Sequence, residues 1–311
     1  MLSRTALNLY WTGRYIERAE FNARLLQATI RLDSLYPRPA GPAAWSSALL
    51  VAAAEFGFNE TGEVLSPSSV ARYLTLADEN PSSIRSCLHN ARTNARAVRT
   101  ALSREAWETI NRAWMSVRDR TSPGGTQAVL NLIDQIKAEA RGFEGALHRM
   151  LRNEASCFLR LGAAVERADN TARLLDVKYH LLLPPDEEIG GVIDRDQWTT
   201  ILHTVAAVTS YRWLYREGLK PWLIAEMLIL RSELPRSLAA SMEEVVAMLT
   251  ALSRRSGKQG EADRLARTRL AKLKQSRIDV LFQSGLHEYL QEFLADIPAL
   301  DQAVAHQFRF G

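Results

Sequence analysis

The sequence has few cysteines and no segment long enough to cross a membrane. Cys87 and Cys157 are the only cysteines among 311 residues, which is too few for a disulfide framework and favours a reducing compartment. The longest uncharged apolar runs, Ala43–Ala54 and Ile201–Ser210, fall short of the roughly 18 residues that span a bilayer. The first twenty residues lack the basic, apolar and cleavage regions of a signal peptide. We therefore expect a soluble, cytoplasmic protein.

Lysine is also scarce, and the net charge is small. The chain has 33 arginines and 6 lysines, with a formal net charge of +4. A dedicated nucleic-acid binder usually shows a stronger basic bias, so nucleic acid is a disfavoured partner. The excess of arginine suits bidentate pairing with carboxylates, although a GC-rich genome produces the same bias. With 47% hydrophobic and 24% charged residues, the composition is that of an ordinary globular protein.

Strand signals are scarce, because no run of alternating apolar and polar residues is bounded by turns. Apolar residues instead recur at helical spacing between breaks such as 36–42, 122–125 and 184–186. The pattern predicts an all-α fold, a large helical bundle over 1–311. The predicted helical segments are 3–35, 43–56, 80–99, 103–120, 127–152, 154–183, 196–216, 261–275 and 276–305, with two further helices, between 216 and 257, that Pro221 and Pro235 open or interrupt.

The strongest pattern is an internal repeat. Gly13–Leu26 reads GRYIERAEFNARLL and Gly162–Leu175 reads GAAVERADNTARLL, with eight of fourteen positions identical. Because the two copies lie 149 residues apart, they indicate a duplicated helical unit rather than a short-period solenoid. We interpret the chain as a single domain with pseudo-repeat halves of about 1–150 and 151–311.

Each copy places two neighbouring stripes on its helix, since residues three and four apart share a face. One stripe is apolar and rich in alanine, which lets another helix approach closely. The other carries a glycine, two acids and an arginine. Its members are Gly13, Glu17, Glu20 and Arg24 in the first copy, and Gly162, Glu166, Asp169 and Arg173 in the second.

The charged stripes have a simple structural explanation and a functional one. Glu20 with Arg24, and Asp169 with Arg173, have the spacing and order of helical ion pairs, worth only about 0.3–0.5 kcal/mol each on a surface. A solvated face gives no reason to repeat the pattern. A half-buried charged seam between the two copies does give one, because each buried charge needs a fixed partner. Such a seam is either purely structural or holds a polar ligand.

The two segments resemble the signature of the bacterial alpha-E family, an all-helical family named for its Glu-Arg motif. Further segments are similar to that family's pattern: Asp78–Ile84, the stretch from Asn90-Ala91-Arg92 through Trp107-Glu108 and Asn111, and Phe158–Tyr179. Together they cover nearly the whole chain. The sequence departs from the family at Ala163-Ala164, where a larger pair such as Arg14-Tyr15 is typical, so the two copies need not be equivalent.

The resemblance implies a setting for the protein rather than a reaction. Members of that family sit beside, or are fused to, circularly permuted ATP-grasp amide ligases, and transglutaminase-like proteins occur nearby. The implied partners are therefore such a ligase, a transglutaminase-like protein and a small peptide-like ligand. The implied context is synthesis or turnover of a peptide-like metabolite.

The sequence holds no recognisable cofactor or nucleophile motif. None of the six histidines follows an acid by three residues, and no His-Glu-x-x-His or Cys-x-x-Cys occurs. We therefore predict no metal site and no cofactor. The phosphate-binding loop and the Gly-x-Ser-x-Gly element are missing too. If ATP is used, a partner binds it. Both cysteines are expected to fill core space.

A second candidate site is the predicted helix start at Asn80. Free backbone N–H groups there, with the hydroxyls of Ser82 and Ser83, would hold a carboxylate or phosphate, although ordinary capping explains the same residues. Further along, Arg92 and Arg96 share one face, with Arg99 close by. Like charges repel unless acids face them, so we expect these arginines to meet the acids of the two repeat copies.

These observations lead to three open hypotheses. The first is an accessory or partner subunit of an ATP-grasp amide-ligase system that binds a peptide-like or amino-acid substrate, the ligase, or both. The second is an enzyme in its own right, with Glu17 or Glu166 as general base in amide-bond chemistry. The third is a structural scaffold. The candidate binding residues are Arg14, Glu17, Arg18, Arg24, Asn80, Ser82, Ser83, Arg92, Arg96, Glu166, Arg167, Asp169 and Arg173.

Overall fold

The computed structural model describes residues 1–35, 40–181, 191–257 and 259–310. Within these ranges the regular structure is helical, with one 3₁₀ turn at Arg99–Ala101 and no strand. The helices up to residue 150 are α1 (Ser3–Leu35), α2 (Ala40–Val51), α3 (Glu55–Glu60), α4 (Pro67–Thr75), α5 (Ile84–Ala97), α6 (Arg104–Val117) and α7 (Thr126–Arg149). The later helices are α8 (Glu154–Leu181), α9 (Val192–Thr204), α10 (Val208–Tyr215), α11 (Pro221–Leu230), α12 (Leu238–Ser256), α13 (Glu261–Gln275), α14 (Ile278–Ser284) and α15 (Leu286–Phe308).

The predicted all-α class is confirmed, and the long helices fall close to where the sequence places them. Two predicted helices are each broken into two. The segment 196–216 is interrupted around Ala206, which has φ +57°, and the segment 276–305 is interrupted at Gly285, with φ +100°. Positive φ ends a right-handed helix. The predicted break at 36–42 lies outside the described residues at 36–39 and is wrong at its end, because α2 already begins at Ala40. The predicted break at 184–186 lies outside the described residues.

One helix, α4, falls where the sequence analysis gives no helix. Ser66 accepts a hydrogen bond from the Ser69 backbone N–H at 3.1 Å, and Pro67 occupies the first helical position. A serine cap followed by proline is a standard helix start. The prolines and serines of this stretch therefore begin a helix.

The centre of the fold is the pair formed by α1 and α8, which pack against each other more extensively than any other described pair. Helices α5 and α7 pack on α1, while α12 and α15 pack on α8. As a result, α1 is surrounded on most sides, and its buried set includes charged residues such as Arg14, Glu17 and Glu20. Across the described residues, no helix combines the length and apolar character needed to cross a bilayer.

Two glycines set the distance between the central helices. A Cβ atom added to Gly13 would lie 2.1 Å from the carbonyl oxygen of Leu159, and one added to Gly162 would lie 2.0 Å from that of Tyr10. Both obstacles are backbone atoms, so no rotamer change would relieve them. The helices therefore touch backbone to backbone at the glycine of each repeat copy.

Candidate functional site

The two Glu-Arg dipeptides meet across the α1–α8 contact and exchange partners. Arg18 binds Glu166 through Nε–Oε1 at 2.6 Å and Nη2–Oε2 at 2.9 Å. Reciprocally, Arg167 Nη2 donates to Glu17 Oε2 at 2.9 Å. The partners lie 148 and 150 residues apart, so the matching motifs of the two repeat copies lie at the same level of the α1–α8 contact. The predicted charged seam between the copies is present.

A further arginine reaches each glutamate. Arg14, one turn before the Glu-Arg dipeptide of α1, donates from Nε to Glu166 Oε2 at 2.7 Å. On the other side, Arg236 donates to Glu17 Oε1 at 2.7 Å and to Glu20 Oε2 at 2.8 Å. Each central glutamate is therefore clamped by two guanidinium groups. We call the six residues Arg14, Glu17, Arg18, Glu166, Arg167 and Arg236 the ionic seam.

The sequence did not predict Arg236. This residue supplies the arginine that the second repeat copy lacks at position 163. The second repeat copy has Ala163 where the first has Arg14, so α8 supplies no arginine of its own at that level. Arg236 comes instead from the turn that precedes α12. The signal that would have found it is the similarity of Pro235-Arg236-Ser237 to Pro81-Ser82-Ser83, since each triplet ends in the serine that caps the following helix.

The central glutamates are ionised despite their burial. Glu166 is 1% exposed and Glu17 is 6% exposed. Burial raises the pKa of a carboxyl group, but Arg18 and Arg14 outweigh that effect and lower the pKa of Glu166 to about 2. The pKa of Glu17 is also lowered to about 2, because its two arginine partners outweigh the same burial. A carboxylate with so low a pKa is a poor proton acceptor at neutral pH, which argues against a general base at either position.

The C-terminal helix α15 closes one end of the ionic seam. Asp301 accepts hydrogen bonds from the Tyr10 hydroxyl and from Nη1 of Arg14. The guanidinium of Arg14 also lies 5.2 Å from the centre of the Trp11 ring. Arg14 is therefore held by two carboxylates and an aromatic face, which fixes the geometry around Glu166.

The predicted ion pairs within each helix are confirmed. Arg24 Nε donates to Glu20 at 2.8 Å, and Arg173 Nε donates to Asp169 at 2.9 Å. Arg173 is about one-third exposed, so this second pair is the weaker contributor to stability.

The turns before α5 and α12 are tied to the central helices in the same manner. Asn22 Nδ2 donates to the Ser82 carbonyl oxygen at 2.7 Å, and Thr171 Oγ1 donates to the Arg236 carbonyl oxygen at 2.9 Å. Asn22 and Thr171 occupy matching positions of the two repeat copies. Common descent of the two halves stays a prediction. If the halves do share an ancestor, matched contacts of this kind are expected.

The Asn80–Ser83 turn is a capping structure rather than an open anion site. The helix begins at Ile84, with Ser83 as its cap, and not at Asn80 as the sequence suggested. Ser83 Oγ accepts from the Ser86 backbone N–H at 3.1 Å, and Asn80 Oδ1 accepts from the Ser82 backbone N–H at 2.9 Å. The backbone N–H groups of Ser82 and Ser86 therefore donate to these caps and are not free for an anion.

The expectation that Arg92 and Arg96 face the acids of the repeat copies is wrong. Arg92 Nε donates to Asn111 Oδ1 at 2.8 Å, and both Arg92 and Arg99 lie over the ring of Trp107. Arg96 is exposed and has no ion pair within the described ranges. Stacking on an indole accommodates guanidinium groups without a carboxylate. The acids of the repeat copies pair instead with arginines on α1, on α8 and in the turn before α12.

A cavity of about 480 Å³ opens against the Glu17 side of the ionic seam. Helices α1, α7, α8 and α12 form its walls, together with the turn before α12. Its polar lining includes Glu17, Glu20, Glu144, His148, Arg160, Arg167, Glu243 and Glu244, and its apolar lining includes Ile16, Phe143 and Leu147. The buried Nε of Arg167 has no hydrogen-bond partner among the described residues. We call this space the seam cavity. Glu166 is not part of its lining.

Metal binding and thiol chemistry have little support in the part of the chain that the structure describes. No group of three or more His, Cys, Asp or Glu side chains there would hold a metal ion. Both cysteines are buried, as expected for core residues. Burial raises the pKa of the Cys87 thiol to about 12, which suppresses the reactive thiolate.

Comparisons with known proteins support the family resemblance. Residues 1–308 match the Alpha-E family, described as a predicted alpha-helical domain with a conserved ER motif. The chain contains only two Glu-Arg dipeptides, those of the ionic seam. It is 24% identical to uncharacterized proteins of Mycobacterium bovis and Mycobacterium tuberculosis, over 97% of this chain and 36% of each relative. The chain thus spans about a third of those relatives' length. No solved structure matches it.

Proposed function

The chain belongs to the Alpha-E family, and we propose that it acts as an accessory or partner subunit of an ATP-grasp amide-ligase system, binding an amino-acid or peptide-like substrate. The observation that carries the proposal is the seam cavity, whose lining contains both carboxylates and two arginines. Its volume of about 480 Å³ falls within the range of about 300–1,000 Å³ typical of small-molecule sites.

The lining matches the two ends of an amino acid or short peptide. Glu17 and Glu20 offer carboxylate oxygens to an ammonium group, while Arg167 offers donors to a carboxylate. The unpartnered Nε of Arg167 supports this assignment, because a buried N–H without an acceptor is costly and a bound oxygen would satisfy it. Phe143 and Leu147 would contact the apolar part of the ligand.

The proposal is one of binding rather than catalysis. A catalytic base working near neutral pH needs a pKa close to that pH, whereas the pKa of both central glutamates is lowered to about 2. The reaction itself is therefore assigned to the partner. The length of the two mycobacterial relatives, in which a segment similar to this chain forms only about a third, supports a role alongside other domains.

A structural role is favoured for the other half of the ionic seam. Glu166 is almost fully buried and bound by two arginines. Such an arrangement fixes the register of two helices without offering a surface to a ligand. We therefore propose that Glu166, Arg14 and Arg18 hold α1 and α8 together, and that Glu17, Glu20 and Arg167 bind the ligand.

The binding proposal is tested by filling the seam cavity. In Ala163→Arg, the new side chain would enter the cavity and reach Glu17 as Arg14 reaches Glu166. We expect a panel of amino acids and dipeptides, screened by isothermal titration calorimetry, to contain a ligand of the parent protein whose affinity falls at least about tenfold in this variant. Ala138→Arg is the matched control, because Ala138 is exposed on α7 and outside the lining. Equal affinity in both variants would contradict the proposal.

The partner proposal is tested separately. A circularly permuted ATP-grasp ligase from the same organism is mixed with the full chain and amino acids, and ATP consumption is followed with and without this protein. We expect the chain to co-purify with the ligase and to raise its turnover. No association and unchanged turnover would contradict the subunit role while leaving ligand binding to be judged by calorimetry.

A further inference from the structure

A second cavity of about 340 Å³ lies away from the ionic seam, between α12, α13 and α15. Its floor is apolar and deeply buried, formed by Met242, Phe293, Ile297 and Leu300. Its remaining lining includes Leu265, Thr268, Arg269, Lys272, Glu292 and Asp296. None of these residues lines the seam cavity or belongs to the repeat copies. We call this space the α13–α15 cavity.

Arg269 is the most unusual residue of this lining. It is 7% exposed, and its Nη2 binds Asp296 and, at 3.4 Å, Glu292. Its Nη1 is buried and has no hydrogen-bond partner among the described residues. A guanidinium N–H withdrawn from water without an acceptor costs free energy. The side chain is held in place all the same, with its guanidinium 5.5 Å from the centre of the Phe293 ring.

The charges around the opening are balanced. Arg269 and Lys272 face Glu292 and Asp296, and the Lys272 ammonium lies 2.5 Å from Glu292. Both acids are about half exposed, so their pairings are weak and can exchange for other partners. Two cations and two anions above an apolar floor suit a ligand that carries one charge of each sign on a short apolar body.

We propose that the α13–α15 cavity binds a free α-amino acid with an apolar side chain. The carboxylate accepts hydrogen bonds from Arg269 and Lys272, and the ammonium donates to Glu292 and Asp296. The side chain packs on Phe293, Ile297 and Leu300. A simple carboxylic acid would meet the repulsion of the two acids, and a simple amine that of the two cations, so the zwitterion is the preferred species.

The experiment compares three probes that share one apolar group. Phenylalanine, 3-phenylpropionate and phenethylamine are titrated into the full-length protein and followed by calorimetry. We expect phenylalanine to bind at least about tenfold more tightly than either single-charge analogue. Equal or tighter binding of 3-phenylpropionate or phenethylamine, or no binding of phenylalanine, would overturn the proposal.

Variants locate the binding. Thr268→Trp fills the opening of the α13–α15 cavity and is expected to reduce phenylalanine affinity at least about tenfold, and Arg269→Gln is expected to do the same. The matched controls are Ala271→Trp, exposed on the same helix and outside the lining, and Arg264→Gln, whose partner is Glu261. Because Thr268 is exposed, its variant keeps the test valid if Arg269→Gln fails to fold.

This inference does not depend on the proposed function, and the two fail separately. Ala163→Arg, which blocks the seam cavity, is expected to leave phenylalanine binding at the α13–α15 cavity unchanged. If Ala163→Arg removes that binding and Thr268→Trp does not, the amino acid binds at the seam cavity and the present inference is wrong.

Discussion

The two halves of the ionic seam have the same chemistry and different surroundings. Glu166 and Glu17 each bind two arginines, and the pKa of each is lowered to about 2. Around Glu166, the side chain of Arg14 and the helix α15 fill the space. Around Glu17, Ala163 leaves room, and the seam cavity begins there. The difference between Arg14 and Ala163, together with α15 on the Glu166 side, therefore separates a closed structural contact from an accessible one.

The closed half is expected to give the largest effect on stability. Glu166→Gln leaves the buried Arg14 and the partly buried Arg18 with a neutral partner, and breaking a buried ion pair costs about 3–5 kcal/mol. The measurement is the free energy of unfolding from urea titration. The control is Glu108→Gln, which removes the partner of the highly exposed Arg104. A similar loss in both variants would show that burial does not distinguish the seam.

The glycine contacts are expected to give the next largest effect, and an equal one in both repeat copies. In Gly13→Ala and Gly162→Ala the new methyl group meets a carbonyl oxygen of the opposite helix, so the cost should reach or exceed the upper end of the usual 1–3 kcal/mol for overpacking, about 3 kcal/mol. In Gly145→Ala, where an added Cβ meets nothing within 4 Å, the helix should gain up to about 1 kcal/mol. The measurement is thermal unfolding. Equal stability of all three variants would contradict the backbone contact at Gly13 and Gly162.

The open half is expected to tolerate loss of its glutamate better. In each variant one arginine keeps a second carboxylate, Arg236 with Glu20 and Arg14 with Asp301. Only in Glu17→Gln does the seam cavity give water access to the remaining arginine, Arg167. We expect a loss of about 1–3 kcal/mol, the cost of an incompletely satisfied polar group. If urea titration gives a loss as large as that of Glu166→Gln, the two halves are equally closed and the comparison above fails.

Acid should weaken both halves. Because the folded-state pKa of each glutamate is lowered from 4.5 to about 2, its contribution to stability is complete above about pH 4.5. It is lost as the pH falls from there toward 2, since the unfolded chain binds protons first. Unfolding measured from pH 6 to pH 2 should show this decline, and Glu166→Gln should show a shallower one. An unchanged slope in that variant would contradict the assigned pKa.

The smallest effect is expected at the edge of the seam. Arg173→Gln removes only the helical pair with Asp169, and pairs of this kind contribute about 0.3–0.5 kcal/mol. Thermal unfolding at low and high salt should show a small difference that vanishes at high salt. A larger loss would mean that Arg173 has a role beyond the pair.

Local sequence patterns were enough to predict the central helices and their charged stripes. Repeats and residues three or four apart are visible in one dimension, so the Glu20–Arg24 pair and the meeting of α1 with α8 could be anticipated. Arg236 could not be, because it lies 219 residues from Glu17, and only packing brings them together. The wrong assignment of Arg92 has the same cause, since helical spacing shows which residues share a face but not what faces them.

The turns show a second limit of sequence reasoning. Asn80 and Ser83 are both good cap residues, so the sequence alone did not decide which begins the helix. In the structure Ser83 caps α5, while Asn80 holds the preceding turn by accepting from the Ser82 backbone N–H and donating from Nδ2 to the Tyr73 carbonyl oxygen at 3.0 Å. The seam cavity could not be predicted from the sequence either, because it depends on how four helices pack against one another.

The ionic partners of α1 are synthesised much later than α1 itself. Arg14 waits for Glu166 and Asp301, which follow it by 152 and 287 residues, and Glu17 waits for Arg167 and Arg236. On the ribosome, Arg14 and Glu17 therefore have no native ionic partner until more than half of this chain has emerged. Contacts so distant in sequence slow folding and leave partly folded chains exposed, so this chain should depend on chaperones during translation more than its all-helical composition suggests.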